Sequence, residues 1–483
     1  MDDSAIKKSI SRGVAWVGVA TSVVAVLDLV ALALILHLWV DAEQFGVVTA
    51  VITVFGALQL VAELGIPAAV VQADDDEDRL ATMFWLGIIA GVATYVIVFV
   101  IAPYAAAAHD HPEESRLFRV AGLLLLVRPI YMTHQSILRK HIRFKDLSLI
   151  RVIANTAEFV VKVGTAAAGL GVWCFILGPL AREVATAIGV PLAARWKPRW
   201  VCRPRLVGHD MRFAMRSTSG EILYQFYSNL DYQVVAYQFG ATALGLYRAA
   251  YELVLEPVRF VSAVVTVVAF PTFARLRQDR TAIADQFVAF TRQNLVVVLV
   301  MLAVIVVAAD DALIVVVGPG YAPAAGAARV LAIVGILRAL SHLGPPFLDG
   351  IGRPDQTLRY QITATVALGS LFFAFGYVFH DLGAFSVAVA WAVGYPIAFA
   401  LLCYMVFSNL DLSPLAYLRR IGRIPILVGL GALAGIGVRL LVTGLSAPLR
   451  LVSIGGTVIV VSFVLLGTFE QYSPRAIIRS LRG

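Results

Sequence analysis

Apolar runs of about twenty residues recur along the whole chain, and they constrain the fold more than any other feature. A helix needs about 20 apolar residues to cross the hydrocarbon core of a bilayer. Hydrophobic residues make up 60% of the 483-residue chain and charged residues 14%, whereas soluble domains are about 25% charged. Only helices and closed barrels satisfy their backbone polar groups in lipid, and these runs lack the alternation of barrel strands. The sequence therefore predicts an all-α polytopic membrane protein.

The apolar runs predict about fourteen transmembrane helices. The first run begins at Val14 and is too long for the apolar region of a cleaved signal peptide, so we expect it to remain as a span. The predicted spans are 14–36, 46–70, 82–103, 117–137, 148–169, 172–193, 217–239, 244–270, 287–309, 326–348, 358–379, 383–407, 424–443 and 451–469.

The cations between the spans are distributed unequally. If the N-terminus lies in the cytoplasm, the outside segments hold little more than Arg116, Arg119 and Arg450, and the other loop cations lie inside. Cytoplasmic loops of membrane proteins carry such an excess of Lys and Arg. The pattern predicts that both termini are cytoplasmic. It also accounts for the net charge of +8 without a nucleic-acid partner.

The longest connection between predicted spans is rich in arginine and contains Pro198 and Pro204. We interpret it as a cytoplasmic linker between two six-helix bundles. The predicted divisions are an N-lobe at 1–193, the basic linker at 194–216, a C-lobe at 217–407, and the last two spans with a cytoplasmic tail at 408–483.

A weak internal repeat supports this division. Asp28 lies in the middle of the first span and precedes a turn that ends in Phe45-Gly46. Asp231 likewise precedes a turn that ends in Leu244-Gly245. Many transporters are built from such internal repeats, with the substrate path at the repeat interface.

Ionisable residues inside the spans are costly in lipid, and they normally face water or one another. We predict that six cations contact a substrate headgroup: Arg128, Arg151, Lys162, Arg248, Arg259 and Arg338. Four carboxylates are predicted to serve ion coupling or structure: Asp28, Glu158, Asp231 and Glu252. The alternative for each residue is a buried ion pair that locks helices together.

The spacing of these residues predicts two polar helix faces. Arg151, Glu158 and Lys162 are seven and four positions apart, so they share one face of a helix. Arg248 and Glu252, with Glu256 and Arg259, form a second such stripe. Because the arginine fork binds phosphate and carboxylate by paired hydrogen bonds, arginine-rich walls favour an anionic headgroup. Arg259 lies near a span end, where its side chain can also extend to the membrane interface.

Sequence motifs for catalysis and metal binding are absent. The chain has no Walker-type GxxxxGK[ST], no HExxH and no His/Cys ligand spacing. Cys174, Cys202 and Cys403 lie far apart, which predicts neither a disulfide framework nor a zinc site. We therefore expect a transporter without cofactor or metal. A membrane-bound polymerase or glycosyltransferase would need a large outside loop, and the sequence predicts none.

Seven segments carry a family resemblance, and they cover most of the predicted spans. They are SRGVAWVGVA at 11–20, AEQFGVV at 42–48, ELGIPAAVVQ at 63–72, RPIYMTHQSILRKHIRFKDL at 128–147, SNLDYQVVAYQFGATALGLYRAAYEL at 228–253, AFPTFARLRQD at 269–279 and GIGRPDQT at 350–357. With these segments the chain resembles polysaccharide-export flippases of the Wzx and WzxC type. These belong to the multidrug/oligosaccharidyl-lipid/polysaccharide (MOP) superfamily.

The resemblance implies two six-helix lobes in a V and two further C-terminal helices. It implies movement of undecaprenyl-diphosphate-linked oligosaccharide repeat units across the bacterial cytoplasmic (inner) membrane, by alternating access through a cationic cavity. The products served would be exopolysaccharide, O-antigen or capsule. The implied partners are the lipid-linked glycan, membrane lipids and the polysaccharide polymerase or export machinery, with the flippase itself a monomer. The alternative is a MATE-like cation-coupled drug antiporter, which an acidic N-lobe site with few arginines would favour.

Overall fold

The fold is that of a computed structural model, which describes residues 3–72, 76–108 and 115–470. These residues are almost entirely helical and include no β-strand, so the predicted all-α class is confirmed. The predicted cytoplasmic tail at 471–483 lies outside the described residues.

The chain divides into two compact units, residues 1–245 and 246–483. The first unit contains α1 (Asp3–Leu38), α2 (Ala42–Ala62), α3 (Ile66–Gln72), α4 (Glu77–Ala108), α5 (Ser115–Ala121), α6 (Leu123–Lys140), α7 (Phe144–Ala167), α8 (Cys174–Ala194) and the amino-terminal part of α9 (Pro204–Leu276). The second contains the rest of α9, α10 (Arg280–Ala312), α11 (Ala325–Ser341), α12 (Gly344–Gly350), α13 (Pro354–Val378), α14 (Phe385–Phe407), α15 (Pro414–Ile421), α16 (Arg423–Leu441) and α17 (Ala447–Glu470).

Twelve helical stretches among the described residues are long and apolar enough to cross a membrane, so the predicted count of about fourteen is not confirmed. One of the twelve, Ser228–Leu276, is 49 residues long. Gly240 interrupts it with φ 79° and ψ −177°, a conformation that glycine adopts far more readily than other residues. The sequence predicts two spans there. Helix α7 lies where the fifth span is predicted. It is not one of the twelve stretches, because the charged residues on its polar face make it less apolar.

The predicted single span over 46–70 is wrong in detail, because the helix breaks in its second half. Helix α2 ends at Ala62, and α3 begins at Ile66. Leu64 and Gly65 between them have left-handed backbone conformations, with φ of 51° and 70°. For a leucine this conformation costs about 1–2 kcal/mol. A second break, at Gly122, separates α5 from α6 within the predicted span 117–137.

Helices α2 and α9 approach each other very closely within the first unit, at the two glycines that the sequence repeat singles out. A Cβ atom on Gly46 would collide with the carbonyl oxygen of Ala241, and one on Gly245 would collide with that of Ala42. Small residues four apart on both helices permit such backbone contact in membranes. The contact is reciprocal, as the repeat leads one to expect.

The basic segment after α8 is anchored to the start of α4. The indole of Trp200 stacks on Trp85, with ring centroids 4.5 Å apart. Trp85 Nε1 donates a hydrogen bond of 2.8 Å to the Arg199 carbonyl oxygen, and the Arg199 side chain pairs with Glu77 and lies 3.6 Å from Asp78. The acidic first turn of α4 therefore binds the basic segment.

In the second unit, the hairpin of α16 and α17 packs against α10. Ion pairs hold α17 at both of its ends: Arg450 Nη2 lies 2.6 Å from Asp311 Oδ1, and Glu470 pairs with Arg292. Between these ends lies an apolar contact of four buried residues, Val307, Ala308, Ile454 and Val458.

Candidate functional site

Six ionisable side chains of alternating sign contact one another in sequence across the first unit. We call this set the charged row. Four helices contribute to it: the carboxyl end of α2, then α6, α8 and α7. Its members, in order, are Glu63, Arg128, Glu183, Arg182, Glu158 and Lys162.

One half of the charged row is built around Arg128. Its Nε donates to Glu63 Oε1, and its Nη1 lies 3.9 Å from Glu183 Oε1. The hydroxyl of Tyr131 donates a hydrogen bond of 2.6 Å to Glu183 Oε2. Arg128 and Tyr131 are three positions apart and so project from one face of α6, which lets both reach α8.

The other half is built around Glu158. Arg182 Nη1 donates a 2.9 Å hydrogen bond to Glu158 Oε2, and Lys162 Nζ lies 2.7 Å from Glu158 Oε1. Arg182 Nη2 also lies 3.4 Å from Glu183 Oε1, which joins the two halves. A Cβ atom on Gly178 would lie 2.9 Å from the Lys162 Cβ. This glycine therefore allows α8 to lie close enough to α7 for the pairing.

Cations and carboxylates of the charged row differ in exposure. The side chains of Arg128 and Arg182 are 32% and 37% exposed, whereas those of Glu158 and Glu183 are 4% exposed. The two arginines are thus the most exposed members of the row, while Glu63 and Lys162 are 12% and 14% exposed. When ionised, its three cations balance its three carboxylates, which suits the low dielectric of a membrane protein interior.

Two other predicted residues of the first unit lie near the charged row. Arg151 Nη1 donates a 3.0 Å hydrogen bond to Thr21 Oγ1 on α1. Asp28, also on α1, lies within electrostatic range of Lys162, Glu158, Arg182 and Arg151. Asp231 is fully buried in the amino-terminal part of α9, where its Oδ1 accepts a 3.0 Å hydrogen bond from the Tyr232 N–H.

In the second unit, the predicted polar stripe of α9 forms ion pairs along its own helix. Arg248 pairs with Glu252 four residues later, and Arg259 Nη2 lies 2.6 Å from Glu256 Oε2. The Arg259 side chain is 62% exposed and the Arg248 side chain 25%. Both carboxylates are the less exposed members of their pairs, as in the charged row.

Arg338 of α11 lies in an aromatic environment. It is 6% exposed, and its Nη1 donates a 2.7 Å hydrogen bond to the Tyr251 hydroxyl. Its guanidinium carbon lies 5.0 Å from the centroid of the Trp391 ring, a cation–π contact. The sequence identifies this arginine, but it does not identify the two aromatic residues that hold it.

A shallow depression adjoins the Glu63–Arg128 pair. Residues of α2 and α6 line it together with this pair, namely Gln59, Ala62, Leu125, Pro129 and Met132. The Arg128 guanidinium therefore borders a small surface depression. Within the described ranges, no group of three or more His, Cys, Asp or Glu side chains is arranged to hold a metal ion.

Glu63, Arg182, Glu183 and Tyr131 are not among the site residues that the sequence predicts. The structure brings them together with the predicted Arg128, Glu158 and Lys162. A usable signal for Tyr131 was its spacing, because it follows Arg128 by three positions in the same helix.

A helical fold with many membrane-length apolar helices and ionisable side chains within them defines a multi-pass membrane protein. Two solved structures share the fold. The lipid II flippase MurJ in an inward closed conformation has a TM-score of 0.72 at 13% identity, covering 94% of this chain and 98% of MurJ. An inward-facing multidrug resistance MATE family transporter of the MOP superfamily has a TM-score of 0.64 at 15% identity, covering 80% and 95%.

The polysaccharide biosynthesis protein family (Polysacc_synt_3) matches residues 38–326, and the chain belongs to this family. Among its relatives, the teichuronic acid biosynthesis protein TuaB of Bacillus subtilis (strain 168) is 28% identical over 76% of this chain and 77% of TuaB. The lipopolysaccharide biosynthesis protein WzxC of Escherichia coli (strain K12) is 23% identical over 74% and 73%. The resemblance stated from the seven sequence segments is confirmed.

Proposed function

We propose that the protein is a flippase for undecaprenyl-diphosphate-linked oligosaccharide repeat units. It moves them across the bacterial cytoplasmic membrane by alternating access, for exopolysaccharide, O-antigen or capsule synthesis. The names of the relatives support this substrate class, since TuaB and WzxC are named for the biosynthesis of envelope polysaccharides. MurJ, which shares the fold, is named as a lipid II flippase.

The observation that carries the proposal is the arrangement of the charged row. Its arginines are its most exposed members, and its carboxylates are less exposed. An entering ligand therefore meets guanidinium groups first. Guanidinium binds phosphate oxygens by paired, charge-assisted hydrogen bonds, and such bonds are strengthened where water is scarce. We assign headgroup contacts to the six predicted cations, Arg128, Arg151, Lys162, Arg248, Arg259 and Arg338.

The runner-up is a cation-coupled drug antiporter, because a MATE family transporter shares the fold. In that reading, Asp28 and Glu158 would bind the coupling cation or the drug. Glu158 is 4% exposed and already accepts from Lys162 and Arg182. A carboxylate held by two cations is a poor receptor for a third, which counts against Glu158 as the cation site of such an antiporter.

We further propose that both termini are cytoplasmic, that the protein acts as a monomer, and that it supplies a polysaccharide polymerase or export assembly. The excess of cations in alternate loops supports the orientation. The bounds 1–193, 194–216, 217–407 and 408–483 remain our proposed division by lobe and linker.

Charge reversal tests the proposed headgroup contacts. Arg128→Glu, Lys162→Glu, Arg248→Glu and Arg338→Glu are each expressed in a strain that lacks the native gene, and surface glycan is compared at equal protein level. We expect a strong loss of glycan in each. Arg277→Glu, in the turn after α9, is the matched control and should retain glycan. Full glycan in all four variants, or drug resistance conferred by the wild-type protein, would exclude this mechanism.

A further inference from the structure

We propose that Glu63 occupies the position on Arg128 that the diphosphate of the ligand takes, and that the ligand must displace Glu63 to bind. Glu63 would then determine specificity without itself binding the ligand. This inference rests on the proposed function, and it adds to it a reason why the site would reject ordinary phospholipids.

The hydrogen bonds of Arg128 show why displacement is needed. Glu63 holds its Nε, while its Nη1 faces Tyr131 at 3.4 Å and Glu183 at 3.9 Å. A diphosphate needs adjacent N–H groups of the fork for paired hydrogen bonds. Adding two or more negative charges beside both carboxylates would be strongly repulsive in a medium of low dielectric constant. One carboxylate must therefore leave Arg128.

Glu63 is the carboxylate that is able to leave. Glu183 is 4% exposed, lies within α8, and accepts a 2.6 Å hydrogen bond from Tyr131. Glu63 instead caps the carboxyl end of α2 and is followed by the left-handed Leu64 and Gly65. A leucine in this conformation is strained, and strain of this kind often lies at functional sites. Glu63 therefore sits at a helix end, next to a strained residue, whereas Glu183 lies inside a regular helix.

The Arg128 side chain remains partly accessible within the pair. It is 32% exposed, and a shallow depression adjoins both Arg128 and Glu63. A ligand phosphate can therefore approach Arg128 from the accessible side, and Glu63 can rotate away at the end of its helix.

The exchange selects ligands by their charge. A phospholipid with one phosphate brings about the same charge as the carboxylate that it would replace, so it gains little over Glu63. A diphosphate brings more negative charge and two phosphates for the fork, so it outcompetes Glu63. Because every anion must meet the cost of displacing Glu63, only an anion that interacts strongly with Arg128 binds at low concentration.

The test measures the affinity of purified full-length protein in detergent for undecaprenyl diphosphate, inorganic pyrophosphate and phosphatidylglycerol. We expect Glu63→Gln to bind undecaprenyl diphosphate about tenfold more tightly, which corresponds to about 1.4 kcal/mol. Phosphatidylglycerol should gain by a similar factor, because the cost of separating Glu63 from Arg128 is the same for both lipids. Arg128→Gln should lose affinity for all three. Asp146→Asn, which removes the same charge from an exposed turn of the same unit, is the control and should match the wild type.

The outcomes separate the two proposals. If the wild type binds diphosphate through Arg128 but Glu63→Gln binds it equally or more weakly, the displacement idea is overturned and the proposed function stands. If the wild type binds neither diphosphate probe, the proposed function fails, and this inference with it. Glu63→Asp keeps the charge but shortens the side chain, so an intermediate gain is expected. This variant provides the test if Glu63→Gln does not fold.

Discussion

Gly46 of α2 and Gly245 of α9 meet backbone to backbone, and at each of them a Cβ atom would strike the opposite chain. The obstacles are carbonyl groups of helices, which cannot rotate away as a side chain can. We expect Gly46→Ala to reduce stability by about 1–3 kcal/mol, the usual cost of overpacking. Thermal unfolding in detergent measures it. Gly164→Ala, where the Cβ would have no neighbour within 4 Å, should be neutral or slightly stabilising. Equal behaviour of the two variants would contradict the close contact.

The hydrogen bond from Arg338 to Tyr251 gives a second prediction. Tyr251→Phe keeps the ring but removes the hydroxyl acceptor of a buried guanidinium. We expect a loss of about 1–3 kcal/mol, the cost of leaving a buried donor unsatisfied. Tyr237 is 77% exposed, so Tyr237→Phe is the matched control and should not change the midpoint of thermal unfolding. A stable Tyr251→Phe protein would mean that Arg338 is held by its other contacts.

The loss of stability on removal of an ion-pair partner near the terminal hairpin should depend on how deeply that partner is buried. Asp311 is 6% exposed and accepts two hydrogen bonds from Arg450, of 2.8 and 2.6 Å. Asp311→Asn should therefore cost about 1–3 kcal/mol. Asp285 pairs with Arg420 but is 71% exposed, and Asp285→Asn should change stability by less than about 1 kcal/mol. The midpoints of thermal unfolding of both variants test this prediction. A larger loss of stability in Asp285→Asn than in Asp311→Asn would refute it.

The contribution of the start of α10 to the stability of the protein should depend on pH. Asp279 accepts hydrogen bonds from the Ala282 N–H at 3.0 Å and the Thr281 hydroxyl at 2.8 Å, and both hold the pKa of its carboxyl below the usual range. A lowered pKa in the folded state means that the stabilisation is present above the ordinary pKa of aspartate and is lost as the pH falls through the lowered value.

The contribution of Asp279 can be isolated by substitution. Asp279→Ala should unfold at a lower temperature than the wild type at pH 7, and the difference should shrink as the pH falls below about 4. Asp279→Asn keeps a capping oxygen without a titrating group. The contribution of its cap to stability should therefore not change as the pH falls. A constant difference between wild type and Asp279→Ala at every pH would rule out the cap as its source.

Much of the helical fold could be predicted because the length of an apolar run fixes where a membrane helix can form. The break at Leu64 and Gly65 could not, since an apolar run continues on both sides of it. A leucine with positive φ is imposed by packing, which a single sequence does not display. The long α9 shows the opposite case, because its interruption at the non-helical Gly240 lies between the two spans that the sequence predicts there.

Three members of the charged row are among the residues that the sequence predicts, whereas the pairs between helices are not predicted. Arg128 and Glu158 are conspicuous because charges are rare within apolar runs. The partner of Arg128 is 65 positions away and that of Glu158 on α8 is 24 away. Such pairs depend on how each helix is rotated against its neighbour. Pairs along one helix, such as Arg248 with Glu252, follow from spacing alone.

The ion pairs at both ends of α17 restrict how this helix can move. A slide by one turn, about 5.4 Å, would separate Arg450 from Asp311 and Glu470 from Arg292 at the same time. Helices α10 and α17 can therefore tilt together, but they cannot slide along each other without breaking both ion pairs. A displacement of one end of this helix pair along its axis would be transmitted to the other end.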